Sequence, residues 1–350
     1  MRVVMICPEL PSDSNPGSMA PAKRQFESLS ALGIDVQVFD MKGPRVVKYG
    51  TAIPKLRKLI GKADLVHAHF GYCGWLGLLA RTISSQKPPM VMSFMGDDLL
   101  GTPYNAQGDL EWSSLRAVKL NISLAPKYDE IIVKSHEMAK VLGTLRCSVI
   151  PNGVDTTVFR PGDKSHARQK LGIPIEARVA LFPGNTENPR KGFALAERTI
   201  SNLKESYGQD VQLLPLWGVP PDQVPTLMTA SDFMFMTSLI EGSPNVVKEA
   251  MACDLPIVGV DVGDVAELLE DEPSSSVCER DPEQLAAACN KLIVEGSQSQ
   301  GRQRLFELGL DLPSVARRIQ AVYDRALDRS GAIETLGQTA SPAVKESLEV

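Results

Sequence analysis

Short apolar runs alternate with helix-type patterns along most of this 350-residue chain, and that rhythm restricts the fold to a parallel α/β architecture. Arg2–Cys7 reads as a buried strand, residues 24–32 as a helix and 35–39 as the next strand. A helix at 55–60, a strand at Leu65–His69, a helix at 75–83 and strands at Met90–Ser93, Glu130–Val133 and 147–150 continue the series. Residues 150–162 (IPNGVDTTVFRPG) are dense in turn formers and break it. A second series follows, with strands at 179–182, Val211–Pro215, 232–236 and 256–260. The chain is longer than one hydrophobic core usually supports. A boundary near residue 163 therefore predicts two doubly wound Rossmann-like domains, residues 1–162 and 163–310. Such domains bind ligands in the cleft between the carboxyl ends of their strands. A helical pattern lies within residues 311–328, and 329–350, rich in Gly, Ser, Thr and Glu without apolar periodicity, read as a disordered tail.

Hydrophobic content of 43% and charged content of 23% are those of a soluble globular protein, and no apolar run approaches the ~20 residues of a membrane span. The opening Val3 to Cys7 run meets Pro8 and Glu9 at once, too short for a signal peptide, so a cytoplasmic location is expected. Cys7, Cys73, Cys147, Cys253, Cys278 and Cys289 are scattered and read as buried, reduced thiols. A net charge of −5 argues against bulk nucleic-acid binding. Residues 41–62 depart from that balance, with Lys42, Arg45, Lys48, Lys55, Arg57, Lys58 and Lys62 and no acid. The stretch fits either a peripheral contact with anionic membrane or a solvated helix face.

The richest segment for chemistry runs from Glu241 to Glu249 (EGSPNVVKE). Ser243 is a good N-cap and Pro244 a good first helical residue, so a helix should open there, with Glu241 in the turn ahead and Glu249 inside. A helix N-terminus suits a phosphate or diphosphate. Flanking carboxylates are placed to accept hydrogen bonds from hydroxyls on either side, which describes a sugar nucleotide. The glutamate pair alone also fits an ordinary solvated helix. The loop 182–192 follows a strand, and its Arg190 and Lys191 could bring cations to a leaving diphosphate; the alternative is an exposed loop cation.

Residues 241–268 (EGSPNVVKEAMACDLPIVGVDVGDVAEL) resemble the C-terminal signature of the retaining glycosyltransferases of the GT-B fold, specifically the family 4 group. Residues 150–161 match the phrase with which family members leave their N-terminal domain, and the resemblance covers about residues 1–327. It implies that Glu241 contacts the transferred sugar, that Glu249 binds the ribose, and that Gly242, Ser243, Pro244, Asn245 and Val246 line the donor site, with the backbone at Asn245 and Val246 on the diphosphate. It implies a final helix crossing back to the first domain. The loop 182–192 keeps the family's Lys as Lys191, whereas Asn185 stands where an Arg is usual and Arg190 is the candidate substitute. Gly17, in the loop after the first strand, corresponds to a point of close approach to the donor.

Residues 93–98 (SFMGDD) occupy the place of a family His-Gly-x-Asp phrase, with Gly96 and Asp98 matching and Met95 in the histidine position. Methionine cannot donate the hydrogen bond that the histidine supplies. Asp98 is read as the cap of the next helix. His67 and His69 alternate on one strand face; with no third ligand in view they are assigned, together with Met95, Gly96 and Asp97, to the acceptor side. No Asp-x-Asp triplet occurs, so no metal and no cofactor are expected beyond a nucleoside diphosphate sugar substrate, UDP- or GDP-linked. The expected activity is hexosyl transfer to an acceptor hydroxyl, carbohydrate or lipid-linked, in polysaccharide, glycolipid or small-molecule glycoside synthesis. Met95 and Asn185 leave open a sugar-nucleotide-binding protein with weakened catalysis, and an epimerase on the same architecture is the third reading.

Overall fold

The computed structural model describes residues 1–11, 19–41, 45–296 and 298–339. The first domain runs β1 (Arg2–Cys7), α1 (Ala20–Ala31), β2 (Asp35–Asp40), α2 (Arg45–Ile60), β3 (Leu65–His69), α3 (Gly71–Thr82), β4 (Met90–Ser93), α4 (Asp97–Leu100), α5 (Trp112–Leu124), β5 (Glu130–Val133), α6 (His136–Val141) and β6 (Ser148–Val149). Its six strands are parallel, in the order β2-β1-β3-β4-β5-β6. The second domain runs α7 (Lys164–Leu171), β7 (Arg178–Phe182), α8 (Phe193–Tyr207), β8 (Val211–Pro215), α9 (Val224–Ala230), β9 (Phe233–Met236), α10 (Asn245–Ala252), β10 (Ile257–Val260), α11 (Val265–Leu269), β11 (Ser276–Cys278), α12 (Pro282–Glu295) and α13 (Gly301–Glu307). Its sheet is also parallel, in the order β11-β10-β9-β7-β8. The expected pair of doubly wound α/β units is present, and each sheet reverses its order once, between β1 and β3 and between β7 and β9.

Alternation along the strands divides the first core in two. Val4, Ile6, Val66 and Met92 face α2 and α3, where Leu56, Ile60, Cys73 and Ala80 meet them. Val3, Met5, Leu65, Val91 and Ile132 face the other way, toward α1 and α14 (Leu312–Thr339), whose Val315, Ile319, Val322 and Tyr323 cover them. The final helix therefore returns to the first sheet. Val154 N–H donates to the Leu310 carbonyl (2.9 Å) and Leu312 N–H to the Val154 carbonyl (3.0 Å), which binds the outgoing crossing to the returning one.

Some expectations needed correction. Residues 329–339 are helical, because α14 continues past 328 through Thr339: once a helix is nucleated each further residue adds a hydrogen bond cheaply, and no Pro intervenes. Residues 340–350 lie outside the described residues. Helix α2 begins at Arg45 rather than near Lys55, with Pro54 inside it. Pro looks like a start signal in sequence because inside a helix it forfeits a backbone hydrogen bond, as Pro54 does here. Strand β11 was not foreseen, being a three-residue, half-buried edge strand. Cys147 and Cys278 are half-buried and the other four cysteines buried.

Candidate active site

Strands β7 and β9 flank the reversal in the second sheet, so the loops leaving them emerge side by side. The loop after β7 closes in a short turn at Pro189–Lys191, where the Asn188 carboxamide oxygen accepts from the Arg190 N–H (3.0 Å). Gly184 lets the Lys191 stem lie across the loop: a Cβ there would sit 2.9 Å from Lys191 Cγ. Lys191 Nζ donates to Glu241 Oε1 at 2.6 Å, and Arg190 Nη2 lies 4.0 Å from Glu241 Oε2. Burial pushes the Glu241 carboxyl up, but attraction to Lys191 and Arg190 outweighs it and holds the group below the usual carboxylate range. Glu241 thus stays charged inside the cleft, with only 11% of its side chain exposed.

Helix α10 opens at Asn245 with Pro244 at the cap position and no side-chain cap. Ser243 is not the cap that its position suggested. Its hydroxyl accepts instead from the buried Lys248 ammonium (2.8 Å), whose charge the Asp264 and Glu249 carboxylates also support. The opening turn of α10 keeps N–H groups that the helix itself does not use, and Asn245 and Val246 border the cleft.

The facing wall comes from the first domain. Phe70, at the end of β3, adopts φ 76°, a strained setting for a non-glycine residue, and its ring faces the cleft. The Asp98 carboxylate accepts from the N–H groups of Met95 (2.8 Å), Gly96 (3.0 Å) and Gly71 (3.1 Å), so it organises its own loop and caps α3 rather than α4. Burial pushes its pKa up to about 6 against those hydrogen bonds. Gly96 and Gly242 let the two domains meet at backbone range: a Cβ on Gly242 would lie 2.9 Å from the Met95 carbonyl and 3.0 Å from Gly96 Cα.

Two ion pairs span the cleft. Arg190 Nη1 meets Asp97 Oδ1 at 2.6 Å, and Arg24 Nη1, from α1, meets Glu249 Oε1 at 2.6 Å. Asn152 adds a hydrogen bond to Asn245 Oδ1 (3.3 Å). Burial raises the Asp97 pKa, Arg190 pulls it down, Glu241 pushes it up again, and the net shift is upward.

One cavity of about 480 Å³ gathers Glu241, Gly242, Ser243, Pro244, Asn245, Val246, Glu249, Arg190 and Lys191 with Met95, Gly96 and Asp97. His67 and His69 are not on its wall. Both are fully buried in β3. His67 is hydrogen-bonded to Tyr323 of α14 (2.7 Å) and to Ser93 (2.8 Å), and His69 approaches Gln25 (3.4 Å). Burial first, then the nearby Lys134 charge, lowers the His69 pKa to about 3; His67 is lowered as well. The pair is a neutral core feature in a parallel strand buried on both faces. Gly17 lies outside the described residues. Among the described residues no three His, Cys, Asp or Glu side chains are grouped to hold a metal.

Sequence reading missed Arg24, Phe70, Asn152 and Pro183 on the cavity wall. Asn152 stood in the turn-rich crossing, read only as a boundary; Arg24 is one of many helix cations and carries no local signal.

Two doubly wound domains enclosing a charged cleft define the GT-B architecture. Residues 2–158 match the model of Glycosyltransferase Family 4, and residues 197–295 match that of Glycosyl transferases group 1. The two matches cover both halves of the chain with glycosyltransferase models and, with the fold, support a GT-B glycosyltransferase. A putative teichuronic acid biosynthesis glycosyltransferase of Bacillus subtilis, TuaC, is 30% identical over 59% of the chain and 55% of its own length. The chain spans a little over half the length of the curated relatives it matches. Among solved structures, sucrose-phosphate synthase from Thermosynechococcus elongatus superposes with a TM-score of 0.71 at 17% identity, over 94% of this chain and all of that one. HepE of Anabaena in complex with UDP-glucose gives 0.69 at 18% identity, over 92% of this chain and 99% of that one.

Proposed function

We propose that the chain is a retaining, metal-independent hexosyltransferase acting from a nucleoside diphosphate sugar on an acceptor hydroxyl. The observation that carries this reading is the convergence of Lys191, Arg190, Glu241 and the start of α10 on one cleft. Charge on a departing diphosphate grows as the glycosidic bond breaks, and preorganised cations and N–H groups stabilise that growth. Lys191, Arg190 and the backbone at Asn245 and Val246 take this role. Glu241 accepts from the sugar hydroxyls, and Glu249, once released from Arg24, accepts from the ribose. The anomeric carbon exchanges its bond to the diphosphate oxygen for one to the acceptor oxygen on the same face, through an oxocarbenium-like transition state. The acceptor proton passes to the leaving diphosphate. Both cations are paired with carboxylates in the free protein, so the donor diphosphate competes for them.

The UDP-glucose in the HepE complex supports a UDP-linked donor, with GDP the other candidate. The likeness to TuaC supports a polysaccharide product. Transfer and donor-hydrolysis assays of Glu241→Ala and Lys191→Ala test the reading: each should lower turnover by ~100-fold, as loss of a transition-state charge contact does. Near-normal rates in both would reject it. A thermal-shift comparison of UDP-, GDP- and ADP-glucose names the base.

A further inference from the structure

Helix α3 packs between α2 and α5 on the outer side of the first sheet. Trp75 of α3 donates to Asn121 of α5 (2.7 Å), and Ser84, just beyond α3, donates to the Arg57 carbonyl of α2 (3.3 Å). None of these three helices contains an Asp or Glu, in a chain whose net charge is −5. Exposed cations stand at Lys55, Arg57 and Lys58 of α2 and at Arg116 and Lys119 of α5. Large apolar side chains are exposed among them: Leu79 on α3, Ile83 just past its end, and Trp112, Leu115 and Leu120 along α5. Trp112 is 68% exposed, with the Arg116 guanidinium 4.6 Å above its ring. Positions 112, 115, 116, 119 and 120 recur at helical spacing and so share one face. The flanking acids are paired or at the rim. Asp64 accepts from the Arg2 N–H (2.6 Å), Asp129 pairs with Arg81 (3.2 Å), and Glu111 precedes α5.

We propose that this α2–α3–α5 face docks onto an anionic lipid bilayer. Tryptophan and leucine beside lysine and arginine on a helix face suit the headgroup layer, where the apolar groups leave water and the cations meet lipid phosphates. Nucleic acid would satisfy the cations but leave the leucines and Ile83 in water, so lipid is the better match. The surface reaches well beyond the basic stretch at 41–62, because α3 joins α5 to it. It shares none of these residues with the cleft and does not depend on the transferase reading.

Co-sedimentation of the full chain with vesicles tests the inference. Phosphatidylcholine vesicles containing phosphatidylglycerol should bind at least ~10-fold more protein than phosphatidylcholine alone, with binding falling as salt rises. In a Trp217→Phe background, emission should shift to the blue on binding, and Trp112→Phe should remove that shift. Lys58→Glu with Lys119→Glu should abolish the preference for anionic lipid, and Trp112→Ser with Leu115→Ser should lower binding ~10-fold. All are surface changes, so the thermal melt serves as a folding control. Equal binding to neutral and anionic vesicles overturns the proposal. So does an unshifted Trp112 emission, or double-stranded DNA binding that the same variants weaken while vesicles are ignored.

Discussion

The two walls of the cleft are built on opposite plans. The second-domain wall concentrates charge in two short stretches, 190–191 and 241–249, held at adjacent strand ends. The first-domain wall offers Phe70, Met95, the Gly96 backbone and two countercharges, Arg24 and Asp97, from three separate loops or helices. A wall made of contiguous residues can be read from a motif. A wall assembled from distant segments exists only once the chain has folded.

The largest test of that contrast sets Glu241→Ala and Lys191→Ala against Met95→Leu. The first two should cost ~100-fold in turnover, whereas Met95→Leu, which removes no hydrogen-bond donor, should change it by less than about 3-fold. Equal losses would mean that both walls contact the reacting centre alike. Gly242→Ala probes the seam. Its methyl would press on Met95 and Gly96 backbone, and overpacking of about 1–3 kcal/mol should lower kcat/KM by ~10-fold with domain spacing widened in solution scattering. An unchanged rate and spacing would show the seam to be loose.

A smaller effect is expected from Arg24→Ala. Freeing Glu249 from its cross-cleft partner should tighten UDP binding by about 3-fold in titration calorimetry at low salt, the scale of a partly exposed ion pair. Weaker binding would instead make Arg24 part of the donor site. A test of stability rather than of activity concerns the buried histidines. Unfolded chain takes up a proton at His69 below about pH 6.5, while the folded state refuses it until about 3. His69 stabilisation is therefore complete above 6.5 and is lost as pH falls toward 3. Asp98 and Asp264, whose burial raises them to about 6, act in the opposite sense between about 4 and 6, so comparison with a variant is needed. Melting temperature should fall more steeply from pH 6.5 to 4 in the wild type than in His69→Gln; parallel curves would refute the assignment.

The strands were legible because parallel strands buried on both faces are continuous apolar runs, as in Val3 to Cys7 and Phe233 to Met236. β11 was not, since three residues at an edge carry no pattern. The Glu241 to Glu249 stretch declared itself through the resemblance of residues 241–268 to a family signature, since its spacing alone also fits a solvated helix. His67 and His69 misled because strand alternation tells which residues share a face but not whether that face meets solvent or, as here, Tyr323 from 256 residues away. Arg24 and Asn152 needed the fold to acquire a role.

The last helix has a bearing on how the protein is made. Val91 and Ile132, on β4 and β5, wait for side chains of residues 315–326, which come far later in the chain. A ribosome delivers the first sheet long before this helix, so the part of that side which α1 does not cover stays bare and sticky while the whole second domain is synthesised. Slow translation or truncation ahead of residue 312 should therefore yield a product that chaperones retain, even though every strand of both sheets has already been made.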